Sequence, residues 1–375
     1  MKNTIVFPGR YVQGPGVIWD LKEYIKTFGG RGFFISTKSM YDKMCEVAAE
    51  CDSVVERFTD DCNRPAIDRL KEKAAAAGAT VVLGVGGGRP MDTGRVVADE
   101  LNVPYIAVPT VASSDAACAF LSIVNNTPEQ GPGVAEFHFC KTNPVLVLAD
   151  EELIIGAKPY LLACGMADAL STWFEAESCQ ASGALCFSGG ARTDIAMSIA
   201  HLCYDQIMLY GRDAMKAARE GVITPAFSKI VETNILVSGC GFGGCGLATA
   251  HGLHGCFEEL ANDEGRHNEH GQLVAFSILV GMWLNKKPLA EIEAMYSLFY
   301  DVGMPITLGD LGYTNSDETF LDTVTKIALR DNMPGFPYRS FLYNEPVPVN
   351  YETVHEALVT AEEFGKAYYE RMKKA

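Results

Sequence analysis

Four of the seven histidines in this chain fall within one stretch, HGLHGCFEELANDEGRHNEHG (251–271). They form two pairs, His251 with His254 and His267 with His270, and the members of each pair are three residues apart. Residues with this spacing lie on the same face of an α-helix, and imidazole is a common ligand for zinc and iron(II). The pattern predicts a metal site to which two helices contribute histidine, but the spacing does not say which histidine of each pair binds the ion.

A carboxylate that could complete such a site is Asp168. It lies within the apolar segment CGMADALSTWFEA (164–176), whose composition predicts a helix. An unpaired carboxylate in apolar surroundings is costly, so Asp168 needs a cation, hydrogen bonds or solvent. The residues alone do not decide between a metal site and a set of structural histidines with a hydrogen-bonded aspartate.

A glycine-rich loop is the second feature that could bind a ligand. The apolar run VVLGV (81–85) predicts a strand, and Gly86, Gly87 and Gly88 follow it. Pro90 suits the first turn of a helix. Backbone N–H groups of such a loop, together with the helix dipole, favour the binding of a pyrophosphate. The spacing is not the GxGxxG of the ordinary Rossmann fingerprint, and a tight turn without a ligand is the alternative.

Polar side chains also follow the next predicted strand, in VPTVASSDAAC (108–118). Thr110 and Ser113 offer hydroxyl groups, and Asp115 offers a carboxylate. Ligands of open α/β sheets bind outside the carboxyl ends of the strands, where both loops would lie. A helix cap formed by the serine and aspartate side chains is the alternative interpretation.

The elements that position these residues divide the chain in two. Residues 1–155 alternate continuous Val- and Ile-rich runs with helical patterns, which predicts a doubly wound parallel sheet with both faces buried. Residues 156–375 are rich in Ala, Leu, Met and Glu and predict an all-helical domain. The predicted strands are GFFIST (32–37), DSVVERF (52–58), TVVLGV (80–85), PYIAVPT (104–110), LSIV (121–124) and PVLVLAD (144–150).

Composition excludes several classes of function. The formal net charge of −16 argues against nucleic acid or an anionic membrane as partner, because both require a basic surface. The N-terminal residues contain no apolar core of the length expected in a signal peptide, and no uninterrupted apolar run has membrane-spanning length. The twelve cysteines contain no CxxC pair, which is typical of reduced thiols. We therefore expect a cytoplasmic protein.

Seven motifs occur in order along nearly the whole chain. They are YVQGPGVI (11–18), GVGGGRPMDTGR (84–95), VPTVASSDAACAFLSIV (108–124), GMADALSTWFEAES (165–178), ATAHGLH (248–254), HGQLVA (270–275) and GKAYYERMKK (365–374). Together they resemble those of the glycerol dehydrogenases within the metal-dependent, iron-containing type of alcohol dehydrogenase family. The resemblance implies a dehydroquinate synthase-like plan: an N-terminal nucleotide-binding domain, then a helical metal-binding domain. It also implies a homo-oligomer.

The resemblance implies that Asp168, His254 and His270 bind the metal, with His251 and His267 as outer or packing residues. Iron-type relatives carry DALTH, whose histidine is a fourth ligand, whereas this chain has DALST with Thr172 at that position. Three ligands leave an open position, so the resemblance favours zinc over iron. The metal would lower the pKa of a bound alcohol and so favour hydride transfer to a nicotinamide.

The resemblance also assigns the remaining site residues. Asp115 would face the substrate hydroxyls and, with His254, belong to the catalytic centre. In the family, an acidic residue usually hydrogen-bonds the adenine ribose, and Thr37 replaces it here. Threonine would not repel the 2′-phosphate of NADP, so NADP use stays open although the resemblance favours NAD. The expected cofactor contacts are Thr37, Gly86, Gly87, Gly88, Asp92, Thr110, Ser113 and Leu121.

We therefore predict a metal-dependent oxidoreductase that transfers hydride between a nicotinamide cofactor and a small, vicinal alcohol. Departures from the family motifs, such as GFGGCG (241–246) and the long segment 331–349, leave amino alcohols, 2-hydroxy acids and sulfonated alcohols as alternative substrates. A dehydroquinate synthase-like lyase would need clustered Lys and Arg, which residues 160–180 and 240–275 lack apart from Arg266. A non-catalytic nucleotide- or metal-binding protein is the third hypothesis.

Overall fold

The computed structural model of the protein describes residues 2–131, 133–263, 267–313, 316–330 and 340–374. The strands are β1 Tyr11–Gly14, β2 Gly32–Thr37, β3 Val54–Phe58, β4 Val81–Gly86, β5 Tyr105–Pro109, β6 Leu121–Asn125, β7 Val134–Phe139 and β8 Leu146–Asp150. The described residues form a six-stranded parallel sheet with strand order β1-β8-β5-β4-β2-β3, together with a separate antiparallel hairpin of β6 and β7.

Both faces of the sheet are buried, as the continuous apolar runs predict. Alternate residues of one strand enter two different cores: Phe33 and Ile35 of β2 pack in one, and Phe34 in the other. Helices cover both faces, so the predicted doubly wound sheet is confirmed. The helices of this part are α1 Leu21–Thr27, α2 Tyr41–Ala49, α3 Arg64–Ala76, α4 Gly88–Leu101 and α5 Glu151–Ile154.

One predicted strand has a different partner. LSIV (121–124) was expected among the parallel strands, but as β6 it pairs antiparallel with β7 outside the main sheet. Its burial alternates along the strand, whereas β4, β5 and β8 are buried at every position. This alternation is typical of a half-exposed hairpin rather than of a central parallel strand.

Past residue 155 the described chain is helical, in agreement with the prediction. α6 begins with Pro159 and ends before Gly183, whose φ of 76° is a left-handed C-terminal cap. One apolar core contains residues from the sheet and from these helices, and the division at residue 155 stays a prediction. The helices are α6 Pro159–Ser182, α7 Asp194–Glu220, α8 Pro225–Glu232, α9 Ser238–Cys245, α10 Thr249–Asp263, α11 His270–Leu284, α12 Leu289–Val302, α13 Glu318–Ala328 and α14 Tyr351–Lys374, with a π-helical turn, Thr233–Val237, between α8 and α9.

Among the described residues, no single helix combines the length and apolar composition of a membrane span; only the bent pair Pro225–Cys245 and Thr249–Ala261 passes that test together.

Candidate active site

Asp168 and three of the four clustered histidines meet where α6, α10 and α11 converge. The Nε2 atom of His270 lies 3.1 Å from Oδ1 of Asp168, and Nε2 of His251 lies 3.8 Å from the same oxygen. The Nε2 atom of His254 lies 2.9 Å from Nδ1 of His270. His267 is exposed, near Glu269, and stands apart from the group. The fold therefore brings together residues from three helices, α6, α10 and α11.

Close backbone contacts make this convergence feasible. A Cβ atom added at Gly271 would lie 2.2 Å from the carbonyl oxygen of Cys164, so α11 begins directly against α6. A Cβ atom at Gly165 would lie 2.0 Å from the carbonyl oxygen of Ala112, so the loop after β5 also reaches α6. Glycine at these two positions lets His270 and the loop approach Asp168.

The geometry favours His251 over His254 as the partner of Asp168 and His270. One donor atom each of Asp168, His251 and His270 lies within 4.8 Å of the other two, and His254 is not part of that group. His270 presents Nε2 to Asp168 and Nδ1 to His254. His254 therefore contacts His270 on the ring nitrogen that does not face Asp168. The resemblance instead implies that His254 itself binds the metal.

Glu175 fixes the orientation of His251. Its Oε2 lies 2.7 Å from Nδ1 of His251, and its Oε1 accepts hydrogen bonds from the backbone N–H groups of Ala248 and His251 at 2.8 and 2.9 Å. A carboxylate on one imidazole nitrogen is the usual way in which proteins turn the other nitrogen toward a metal. Sequence reasoning missed Glu175, although its position seven residues after Asp168 places it on the same face of α6.

These donors fit a divalent transition metal. One carboxylate oxygen and two imidazole nitrogens are the ligand set of many zinc and iron(II) sites. Two independent constraints, Glu175 on His251 and the first turn of α11 on His270, hold the imidazoles toward Asp168. The residues present are therefore consistent with the metal that the resemblance implies.

Asp115 joins the loop after β5 to this group. Its backbone N–H donates a hydrogen bond to Oδ2 of Asp168 at 3.1 Å, and Ser238 Oγ donates one to its Oδ2 at 2.9 Å. Thr172 Oγ1 lies 3.0 Å from Ser238 Oγ. The threonine that replaces the fourth family ligand thus supports the Ser238–Asp115 contact.

Burial and mutual charge shift the acid–base properties of the group. Burial, with the nearby Asp168 charge, raises the pKa of Asp115 to about 7. Burial also opposes ionisation of Asp168, but its hydrogen bond to His270 and the neighbouring imidazoles lower its pKa below the usual value. Burial would lower the pKa of His251, yet Glu175 raises it to about 9. For His254, burial and the two neighbouring imidazoles lower the pKa.

The glycine loop lies at the end of β4, beside Thr37. Gly86 has φ 146°, and a Cβ atom there would lie 2.5 Å from Cγ2 of Thr37 and 2.6 Å from Cγ of Pro90. Gly87 is the N-terminal cap of α4, and a Cβ atom at Gly88 would meet nothing within 4 Å. The start of α4 is thus an open helix N-terminus next to the carboxyl end of β2, as expected for a pyrophosphate site.

The other expected cofactor residues lie around this loop. The backbone N–H of Thr110 donates to the carbonyl oxygen of Gly86 at 3.0 Å, which joins the loops after β4 and β5, and Ser113 follows in the second loop. Asp92 faces inward, where Arg95 Nη1 donates to its Oδ1 at 2.6 Å. The same Nη1 donates to the carbonyl oxygen of Leu121, so Asp92 and Arg95 tie α4 to β6.

The chain is similar in sequence to members of one protein family. Residues 8–151 match the family described as iron-containing alcohol dehydrogenase. The chain is 36% identical over 372 residues to a glycerol dehydrogenase of Thermotoga maritima, and the match covers 98% of both chains.

Two solved structures have the same architecture over the whole chain. A probable glycerol dehydrogenase from Sinorhizobium meliloti is 32% identical with a TM-score of 0.88, covering 98% of this chain and 100% of that one. The glycerol dehydrogenase of Schizosaccharomyces pombe is 29% identical with a TM-score of 0.89, covering 100% and 94%.

Proposed function

We propose that this chain, which belongs to the iron-containing alcohol dehydrogenase family, oxidises a small vicinal diol such as glycerol and passes the hydride to a nicotinamide dinucleotide. Membership of the family confirms the resemblance carried by the motifs and makes the chain a metal-dependent alcohol oxidoreductase. The substrate, the identity of the metal, the cofactor and the assembly as a homo-oligomer are our proposals.

A continuous set of contacts carries the proposal. The carbonyl oxygen of Gly86, in the glycine loop, accepts a hydrogen bond from the backbone N–H of Thr110. Thr110 begins the loop that contains Asp115, and the backbone N–H of Asp115 donates to Asp168. A dinucleotide bound at the glycine loop would therefore reach toward the same corner of the molecule as the candidate metal ligands. Hydride transfer requires this arrangement, because donor and acceptor must be in contact.

We infer that Asp168, His251 and His270 hold a zinc ion. Catalytic zinc commonly has three protein ligands and an open position, and the Thr172 side chain pairs with Ser238 where a fourth ligand would be expected. When bound, the ion would act as a Lewis acid that lowers the pKa of a substrate hydroxyl. His254, behind His270, would orient that ligand.

Asp115 is the residue that we expect to select a diol. Ser238 donates to its Oδ2, which leaves Oδ1 to accept a hydrogen bond from a substrate hydroxyl. Its backbone N–H holds Asp168 at the same time. A carboxylate fixed beside the candidate ligands can therefore bind the second hydroxyl of a vicinal diol while the first is oxidised.

Cofactor reduction with paired substrates tests the function. With metal restored, we expect kcat/KM for 1,2-propanediol to exceed that for 1-propanol by about tenfold or more, because a hydrogen bond to a charged group contributes about 1.5–3 kcal/mol. Glycerol should behave like the diol. Equal values for 1,2-propanediol and 1-propanol would contradict recognition of the second hydroxyl by Asp115, and absence of turnover with every diol would contradict the proposed function.

Thr37 provides a test of the cofactor. Its side chain touches the glycine loop at the end of β2, where an acid would accept hydrogen bonds from the adenine ribose and repel a 2′-phosphate. We expect Thr37→Asp to raise the ratio of kcat/KM with NAD to that with NADP by about tenfold or more. Thr37→Ser serves as the matched control and should leave the ratio near the wild-type value. An unchanged ratio in the aspartate variant would place the ribose elsewhere.

A further inference from the structure

A second group of potential metal ligands joins the C-terminal turn of α4 to the β6–β7 hairpin. Asp99 lies on α4, His138 on β7 and Cys140 directly after β7. One donor atom from each lies within 4.8 Å of the other two, and His138 Nε2 lies 3.1 Å from Asp99 Oδ2. All three side chains are half-buried, so an ion could reach them from solvent. The group shares no residue with the candidate active site.

Separate contacts position Asp99, His138 and Cys140, and His138 is held through its side chain. His138 Nδ1 lies 3.0 Å from Oε1 of Glu136, and Arg64 Nε donates to Oε2 of Glu136 at 2.9 Å. Arg64 Nη2 also lies 3.4 Å from His138 Nδ1. Glu136 therefore lies on the Nδ1 side of His138, and the Nε2 atom of His138 faces Oδ2 of Asp99. This carboxylate–histidine arrangement is the one that metal ligands usually have.

Backbone hydrogen bonds fix the other two residues. Asp99 Oδ1 accepts a hydrogen bond from the backbone N–H of Lys141 at 2.9 Å, which leaves its Oδ2 facing His138. The backbone N–H of Cys140 donates to the carbonyl oxygen of Phe120 at 2.8 Å. None of these contacts uses the Cys140 sulfur, Asp99 Oδ2 or His138 Nε2. The last two atoms contact each other at 3.1 Å, and an ion bound there would replace that contact.

We propose that Asp99, His138 and Cys140 form a second site for a divalent transition metal of the zinc class. Oxygen, imidazole and thiolate donors suit zinc, whereas magnesium and calcium prefer all-oxygen sites. Bonds of about 2.0–2.3 Å in a tetrahedral site separate ligand atoms by roughly 3.3–3.8 Å, so the observed group needs only a small adjustment to close on an ion. Water would occupy the fourth position.

Binding at this site must displace the thiol proton. Burial raises the pKa of Cys140 to about 12, so without a metal the side chain is a neutral thiol. When a sulfur–metal bond forms, the S–H bond breaks and the proton passes to solvent. The ion would then link α4, which begins at the glycine loop, to the hairpin that carries Leu121.

Cobalt(II) titration of the metal-free, full-length protein tests the proposal. A cysteine thiolate bound to Co²⁺ gives a ligand-to-metal charge-transfer band, and the group of Asp168, His251 and His270 contains no thiol. We expect wild-type protein to bind two Co²⁺ per chain and to show this band. Cys140→Ser and, independently, His138→Ala should each bind one Co²⁺ fewer, and Cys140→Ser should lose the band. Circular dichroism identifies any variant that fails to fold.

Cys45→Ser is the matched control, because Cys45 is half-buried like Cys140 but lies on α2. It should keep both ions and the band. A protonated His138 that merely bridges Asp99 and Glu136 predicts no charge-transfer band in wild-type protein and the same ion count in every folded variant. Either of these results would overturn the second site.

Discussion

Replacement of Asp168 with alanine is expected to remove the catalytic metal and lower kcat/KM for alcohol oxidation by at least about 10³-fold. Asp168 is the residue that both candidate imidazoles and the Asp115 backbone share. Loss of a Lewis acid forfeits several kcal/mol of transition-state stabilisation, and each 1.4 kcal/mol corresponds to a factor of ten. Metal content after dialysis and steady-state rates measure the two effects.

Asp205 offers a matched control for this experiment. Its Oδ2 lies 3.0 Å from Nδ1 of His201 on α7, so it also forms an aspartate–histidine pair, but both side chains are about half exposed. Asp205→Ala should keep metal content and activity. An Asp168→Ala variant that folds, retains the full metal content and remains active would refute the assignment of Asp168.

Much of the fold follows from patterns that sequence alone displays. A parallel sheet with both faces buried requires continuous apolar strands, and GFFIST, TVVLGV and PYIAVPT contain such runs. Several helices after residue 155 are also marked locally, because proline, glycine and threonine caps stand at their ends. In these regions the local sequence is sufficient to predict the secondary structure.

The hairpin is where local reasoning was insufficient. β6 contains Ser122 and Val124, both buried, between half-buried neighbours, and β7 alternates polar residues such as Glu136 and His138 with apolar ones. A four-residue apolar run does not reveal whether its partner is parallel or antiparallel. The hydrogen bonds from Arg95 to Leu121 and Ser122 draw this strand away from the main sheet and toward α4.

The approach of Asp168 to the clustered histidines could be predicted from the sequence, but the contacts within this group could not. Two histidines at i, i+3 share one helix face, so their spacing cannot rank them. The contact that distinguishes them comes from Glu175, which lies 76 positions before His251 in the chain. Such a contact depends on how α6 and α10 pack, and no periodicity within either segment contains that information.

Separate alanine substitutions of His251 and His254 are expected to give different losses. His251 lies in the group with Asp168 and His270, so His251→Ala should lose the catalytic metal and at least about 10³-fold in kcat/KM, and excess zinc should not restore it. His254 contacts Nδ1 of His270, the ring nitrogen that does not face Asp168. Loss of such an outer contact typically weakens metal affinity by about 10–100-fold, so excess zinc should restore His254→Ala to near wild-type activity.

Zinc titration of each metal-free variant, followed by activity, separates the two roles. The two histidines lie three residues apart on α10. An alanine at either position therefore disturbs the same helix, and each variant serves as the control for the other. The reverse result, with His251→Ala rescued by zinc and His254→Ala inactive at every zinc concentration, would restore the ligand set implied by family resemblance. Glu175 would then stabilise the start of α10 through its hydrogen bonds to the Ala248 and His251 backbone and through its contact with the His251 side chain, without orienting a metal ligand.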